Sequence, residues 1–163
     1  MSLMNTPRML LKIAILALAC LGSIGQAQAQ TCTVSSTTLA FGTYDPKSNL
    51  ASSSTGSVSV TCQATISLFV SYTVKLGGGG SGSITARKMT TSGSQLNYQV
   101  YQDALFTQIW GDGTSSTSFY SGGYLLAVLV PVTTTYVAYG QIAALQNVYA
   151  GSYTDTLTIL LTY

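Results

Sequence analysis

Three cysteines, four aspartates, one tryptophan and no histidine set the chemistry open to this chain of 163 residues. Without histidine, neither a Ser-His-Asp nor a Cys-His nucleophile can be assembled, and no Gly-x-Ser-x-Gly elbow occurs. A pair of carboxylates for glycoside hydrolysis would have to come from Asp45, Asp103, Asp112 and Asp155. Each lies beside a turn or strand-end signal, as in Asp45-Pro46 and Trp110-Gly111-Asp112-Gly113, so turn hydrogen bonding is the better reading. No acid, base and nucleophile converge, and the expectation is no enzyme and no catalytic residue. Gly77, Gly79 and Gly82 formally match Gly-x-Gly-x-x-Gly. The match comes from the low-complexity run Gly77 to Ser83, which no helical pattern follows, so no nucleotide or other cofactor is expected. Two thiols without histidine fall short of a metal site. Arg87-Lys88 reads as a solvated strand end. Trp110 and some of the eleven tyrosines are the candidates for surface recognition, of a sugar for instance. Tyr72, Tyr98 and Tyr153 sit instead on alternating core positions, which favours packing for the tyrosines.

The elements that carry these residues begin after residue 29. Arg8 and Lys12 form a positive n-region, Ile13 to Leu21 a short apolar h-region, and Ala27-Gln28-Ala29 a small-residue cleavage site. Residues 1–29 are therefore expected to be a signal peptide cleaved after Ala29, with 30–163 as one domain. The alternative, a lipoprotein modified at Cys20, has only the poor lipobox Ala17-Leu18-Ala19-Cys20. The h-region is shorter than the roughly 20 apolar residues a membrane span takes, and no integral membrane segment is expected in the mature chain. Only 6% of the chain is charged. Beyond the leader Lys47, Lys75, Arg87 and Lys88 balance the four aspartates, which removes any argument for nucleic acid. Such a neutral, Ser/Thr/Gly/Tyr-rich surface tends to self-associate. In the oxidising compartment beyond the leader a Cys32–Cys62 disulfide is the default reading, with two buried thiols as the alternative. Closing a loop of about 30 residues would contribute roughly 3–4 kcal/mol on the chain-entropy model.

Apolar residues recur at every second position in several stretches, the signature of strands with one buried face. Thr33 to Phe41 opens with a short strand pattern. Val58, Val60 and Cys62 alternate with Ser57, Ser59 and Thr61, placing Cys62 on the core side. Ile66, Leu68, Val70, Tyr72, Val74 and Leu76 form the longest strict alternation and predict a central strand. Gly77 to Ser83 predicts a flexible loop. Leu96, Tyr98 and Val100 alternate again. Tyr124 to Val132 is apolar on both faces and predicts a fully buried strand, with Pro131 marking an edge or bulge. Thr133 to Ile142 alternates weakly. The last stretch, Gly151 to Tyr163, places Tyr153, Leu157, Ile159, Leu161 and Tyr163 on one face, with threonines and Leu160 on the other. About seven short strands with no sustained helical spacing predict an all-β sandwich.

Taken in order, these motifs resemble a known family. They are Cys32-Thr-Val34, Leu39-Ala-Phe41-Gly42-Thr-Tyr44-Asp45-Pro46 and Val58-Ser-Val60-Thr-Cys62, then Arg87-Lys-Met89, Leu96-Asn-Tyr98-Gln-Val100-Tyr101-Gln-Asp103 and Trp110-Gly-Asp112-Gly113. Tyr139-Gly140-Gln-Ile142 and Gly151-Ser-Tyr153-Thr-Asp155-Thr-Leu157 complete the set. The chain is similar, over 31–163, to the spore coat protein U domain family, which includes subunits of archaic chaperone–usher pili. The resemblance implies an immunoglobulin-like sandwich lacking its final strand. It also implies a groove that a periplasmic chaperone fills until another subunit replaces it at an outer-membrane usher. Leu157, Ile159, Leu161 and Tyr163 would line one wall of that acceptor groove. The Tyr163 carboxylate would be where related subunits are anchored by basic residues of the chaperone.

The expected function is thus a non-catalytic structural or adhesive subunit of a pilus or coat, exported through the periplasm to the cell surface. A polymerising subunit needs an alternating apolar donor segment before its first cysteine. Here Gln30 and Thr31 alone precede Cys32, so the expectation is an acceptor that cannot donate. The alternative is a stand-alone coat or carbohydrate-binding module with a self-complete sandwich. Tyr124 to Val132, as an apolar run, either forms a plain core strand or covers part of the groove from within.

Overall fold

A computed structural model describes residues 30–64, 69–125 and 130–163. The leader expected over residues 1–29 lies outside these, as do Ile66, Leu68 and residues 126–129. The described chain forms eight strands: β1 (Gln30–Ser36), β2 (Ser52–Ala64), β3 (Val70–Leu76), β4 (Arg87–Thr91), β5 (Ser94–Tyr101), β6 (Tyr120–Tyr124), β7 (Val132–Ile142) and β8 (Ile159–Thr162). They make two antiparallel sheets, β1-β2-β7-β5-β4 and β6-β3-β8. The all-β sandwich read from the alternation is what forms.

Period-two patterning places the core. Val58, Val60 and Cys62 of β2 are buried, and Ser57, Ser59 and Thr61 lie on the other face. There Ser59 and Thr61 share hydroxyl hydrogen bonds with Thr135 and Thr133 of β7, each 2.8 Å. Val70, Tyr72, Val74 and Leu76 are all buried, and β3 is the centre of its sheet. Leu96, Tyr98 and Val100 complete the facing layer from β5. Cys32 stands directly opposite Cys62 in the β1–β2 register and the two are disulfide-bonded, with Cα atoms 4.0 Å apart. The bond ties an edge strand to its neighbour.

Three expectations need correction. The Thr33 to Phe41 pattern is strand only to Ser36. Beyond it Leu39 and Phe41 still alternate with exposed neighbours, but the segment has no ladder. Gly77 to Ser83 forms a 3₁₀ turn at Gly79–Ser81, where Ser81 Oγ donates to Gly78 O and Gly82 N to Gly79 O. Backbone and serine hydrogen bonds order this turn, together with the Asp155 carboxylate, which accepts from Gly80 N. Tyr124 to Val132 is not one buried strand. β6 ends at Tyr124 in one sheet, β7 starts at Val132 in the other, and Leu125 and Val130 are exposed.

Candidate functional site

Between the sheets lies an open groove of about 1060 Å³. Its floor is the inner face of the larger sheet, with Val58, Leu96, Tyr98, Val100 and Ala138, joined by Trp110. One wall is the segment after β1, from Thr37 to Tyr44. The other is the stretch leading into β8, from Ser152 to Ile159. Both walls have strand-like alternation. Leu39 and Phe41 are half-buried on the first, Tyr153, Asp155, Leu157 and Ile159 on the second, and the residues that alternate with them are exposed. Neither pairs with the other. The first makes one backbone bond to β2, from Thr37 N to Ser57 O. β8 pairs with β3 at only four positions and leaves its far edge free.

Each wall is held by a polar side chain. On the first, the Tyr44 hydroxyl donates to Ala143 O (3.0 Å) and accepts from Gln146 N (2.8 Å). Phe41 packs edge-on against Tyr98. On the second, Asp155 accepts from Gly80 N and Thr156 N through Oδ1 and from the Tyr98 hydroxyl through Oδ2 (2.7 Å). Burial and this bond push the Tyr98 phenol well above its ordinary range. The other aspartates also hold turns. Asp45 accepts from Lys47 N, Asp103 from Thr107 and Gln108, and Asp112 from Thr114.

Of the residues expected to form the acceptor wall, Leu157 and Ile159 line the groove. Leu161 is half-buried against the core opposite Val74, and Tyr163 is 53% exposed beyond the end of β8. The wall therefore runs N-terminal of where the pattern alone centred it.

Trp110 is no surface-recognition residue: it is fully buried, its Nε1–H donates to Val74 O, and Tyr120 packs edge-on against it. An indole with its one donor satisfied inside the core has nothing left to offer a sugar. Arg87 is likewise fully buried, not solvated. Its guanidinium donates to the carbonyls of Leu76, Gly77 and Trp110 and to Gln99 Oε1. Desolvation lowers its pKa to about 10, partly opposed by Tyr98 and Asp155. The wall segment Thr37 to Tyr44 and the holding roles of Tyr44 and Asp155 escaped the sequence reading. The one available signal was the Leu39-Ala-Phe41 alternation continuing past β1.

Comparison with known proteins places this architecture. A model of the "Spore Coat Protein U domain" family matches residues 19–160. "Protein U" of Myxococcus xanthus is 34% identical over 139 residues, covering 77% of this chain and 72% of its own length. Among solved structures, a chain of the chaperone–tip adhesion subunit pre-assembly complex CsuC-CsuE, from archaic chaperone-usher Csu pili of Acinetobacter baumannii, superposes with a TM-score of 0.53 at 23% identity. That match covers 83% of this chain and 40% of the neighbour's, and it supports the immunoglobulin-like pilus-subunit fold. With the family match spanning nearly all of the described sandwich, the chain belongs to the spore coat protein U domain family.

Proposed function

We propose that this protein is a non-catalytic structural or adhesive subunit of a surface pilus or coat, and that its groove accepts a β-strand from another polypeptide. The observation that carries the reading is the pair of alternating walls, not paired with each other, over an apolar floor. A strand laid between them would find the open edge of β8 to pair with, which is β-augmentation. Seating about five apolar side chains there, at roughly 1.5–3 kcal/mol each, gives on the order of 10 kcal/mol before ordering costs. The family and the solved neighbour, whose complex contains a chaperone and a tip subunit, support a periplasmic chaperone, an usher and fellow subunits as partners. Export by a cleaved signal peptide and a place at the cell surface belong to the same reading.

The test is expression of the full chain in a bacterial periplasm with and without the chaperone encoded nearest to it. The expected outcome is soluble protein only with the chaperone, and its displacement by a strand peptide. A stable monomer that takes up neither would overturn the acceptor reading in favour of a self-complete coat module.

A further inference from the structure

We infer that Asp155 is a positioning residue: it pins the C-terminal wall while the groove is empty and thereby governs how readily a strand enters. The inference rests on the strand-acceptor reading above. The terminal stretch changes sheets as it passes the groove. Thr154 bridges Thr90 of β4 in the larger sheet, with backbone bonds of 2.9 and 3.2 Å. Four residues later Thr158 O accepts from Gly77 N, and Ile159–Thr162 then pair with β3 in the smaller sheet. Between these attachments, residues 155–157 belong to no strand.

At that gap the carboxylate stands in for the missing ladder. It gathers donors from the glycine turn (Gly80 N, 2.8 Å), from its own segment (Thr156 N, 2.8 Å) and from β5 (the Tyr98 hydroxyl, 2.7 Å). The turn is shaped around it. Gly79 has φ +64°, and a Cβ there would collide with the carboxylate. Arg87 holds the base of the same turn through the carbonyls of Leu76 and Gly77. Both carboxylate oxygens are engaged within the chain, so Asp155 acts on the wall and not on the incoming strand. Leu157 and Ile159 follow directly, on the groove side. An empty apolar groove favours closure of its walls on each other. Entry requires the open state, and affinity falls by the fraction of molecules not in it.

The probe is a synthetic peptide of alternating valine and threonine with lysine flanks, bound to full-length protein by surface plasmon resonance. Asp155→Ala is expected to slow association about tenfold and to change dissociation less than about twofold, the signature of lost pre-organisation. Asp155→Asn keeps an oxygen for Gly80 and Thr156 and should fall between; it also serves if the alanine variant does not fold. Gly79→Ala should reproduce the slowing, yet add little to Asp155→Ala. Wild-type kinetics in Asp155→Ala, or strictly additive effects in the double variant, would overturn the proposal. Hydrogen exchange of the empty protein reads the pin without the peptide. Asp155→Ala should speed exchange in residues 157–161 and leave the β2–β7 ladder unchanged, whereas unchanged exchange in both overturns the pin. A wild type that binds no peptide but shows the selective exchange would overturn strand acceptance and retain the pin.

Discussion

Two stretches of this chain have the same alternating pattern and meet different surroundings. β2 pairs with β7 at eleven positions and with β1 at seven, and Val58, Val60 and Cys62 on its inner face are buried. The terminal stretch pairs with β3 at four positions, and none of its inward residues is fully buried. Local sequence makes both of them strand-like. What separates them is whether a neighbour exists on each side, and that is a property of the assembly of strands and not of the segment. The contrast assigns different work to the two regions: one holds the domain together, the other leaves binding energy to be realised on contact.

The comparison can be broken or sharpened by substitution. Trp110 lies under both regions, so Trp110→Ala should cost about 3–5 kcal/mol whether or not a strand is bound. Urea denaturation with and without the peptide measures it, and rescue by the peptide would mean that the groove contributes more to the core than the enclosed side does. Removing the disulfide as Cys32→Ala/Cys62→Ala should cost about 3–4 kcal/mol on the enclosed side. Peptide affinity should be nearly unchanged, which titration of the variant checks.

Two isoleucines make the sharpest pair. Ile142→Ala, at a fully buried site in β7, should cost about 2–5 kcal/mol in either state. Ile159→Ala, half-buried on the open wall, should cost about 1 kcal/mol when the groove is empty. Its cost should rise towards the Ile142 value once a strand covers it. Equal costs in both states would mean that no strand covers Ile159.

The smallest effect is alkaline. Burial raises the phenols of Tyr98, Tyr101, Tyr120, Tyr124 and Tyr136 above the ordinary value near 10. Above that pH the unfolded chain loses those protons while the folded chain keeps them, so stability declines as pH rises. Arg87, lowered to about 10, works in the opposite sense, because above pH 10 the folded chain no longer has to bury its charge. With five phenols against one guanidinium, the melting temperature should fall between pH 10 and 11, and Tyr98→Phe should flatten the fall.

The enclosed region was largely legible in the sequence. Period two in β2, β3 and β5 is a local signal, and Cys62 on the core side of its strand suited a bond to Cys32. The groove residues were legible only in part, because their roles depend on contacts far along the chain. Asp155 is held by Gly80 and Tyr98, and Tyr44 by Ala143 and Gln146. Arg87 and Trp110 read as surface residues because both bear polar groups. Carbonyls of Leu76, Gly77 and Val74, brought over by strand pairing, satisfy those groups inside. At the Tyr124 to Val132 run, hydropathy reports what a segment could bury, whereas Leu125 and Val130 within it are exposed.

The single indole of the chain sits in the floor of the groove, with Tyr120 against its edge and Tyr136 stacked on Tyr120 at 4.3 Å. The unmodified protein thus contains its own optical reporter. Shielded from water and fed by energy transfer from those rings, it should emit in the blue while the domain is folded and shift to the red on unfolding, so that the stability differences above can be followed by native fluorescence without a label.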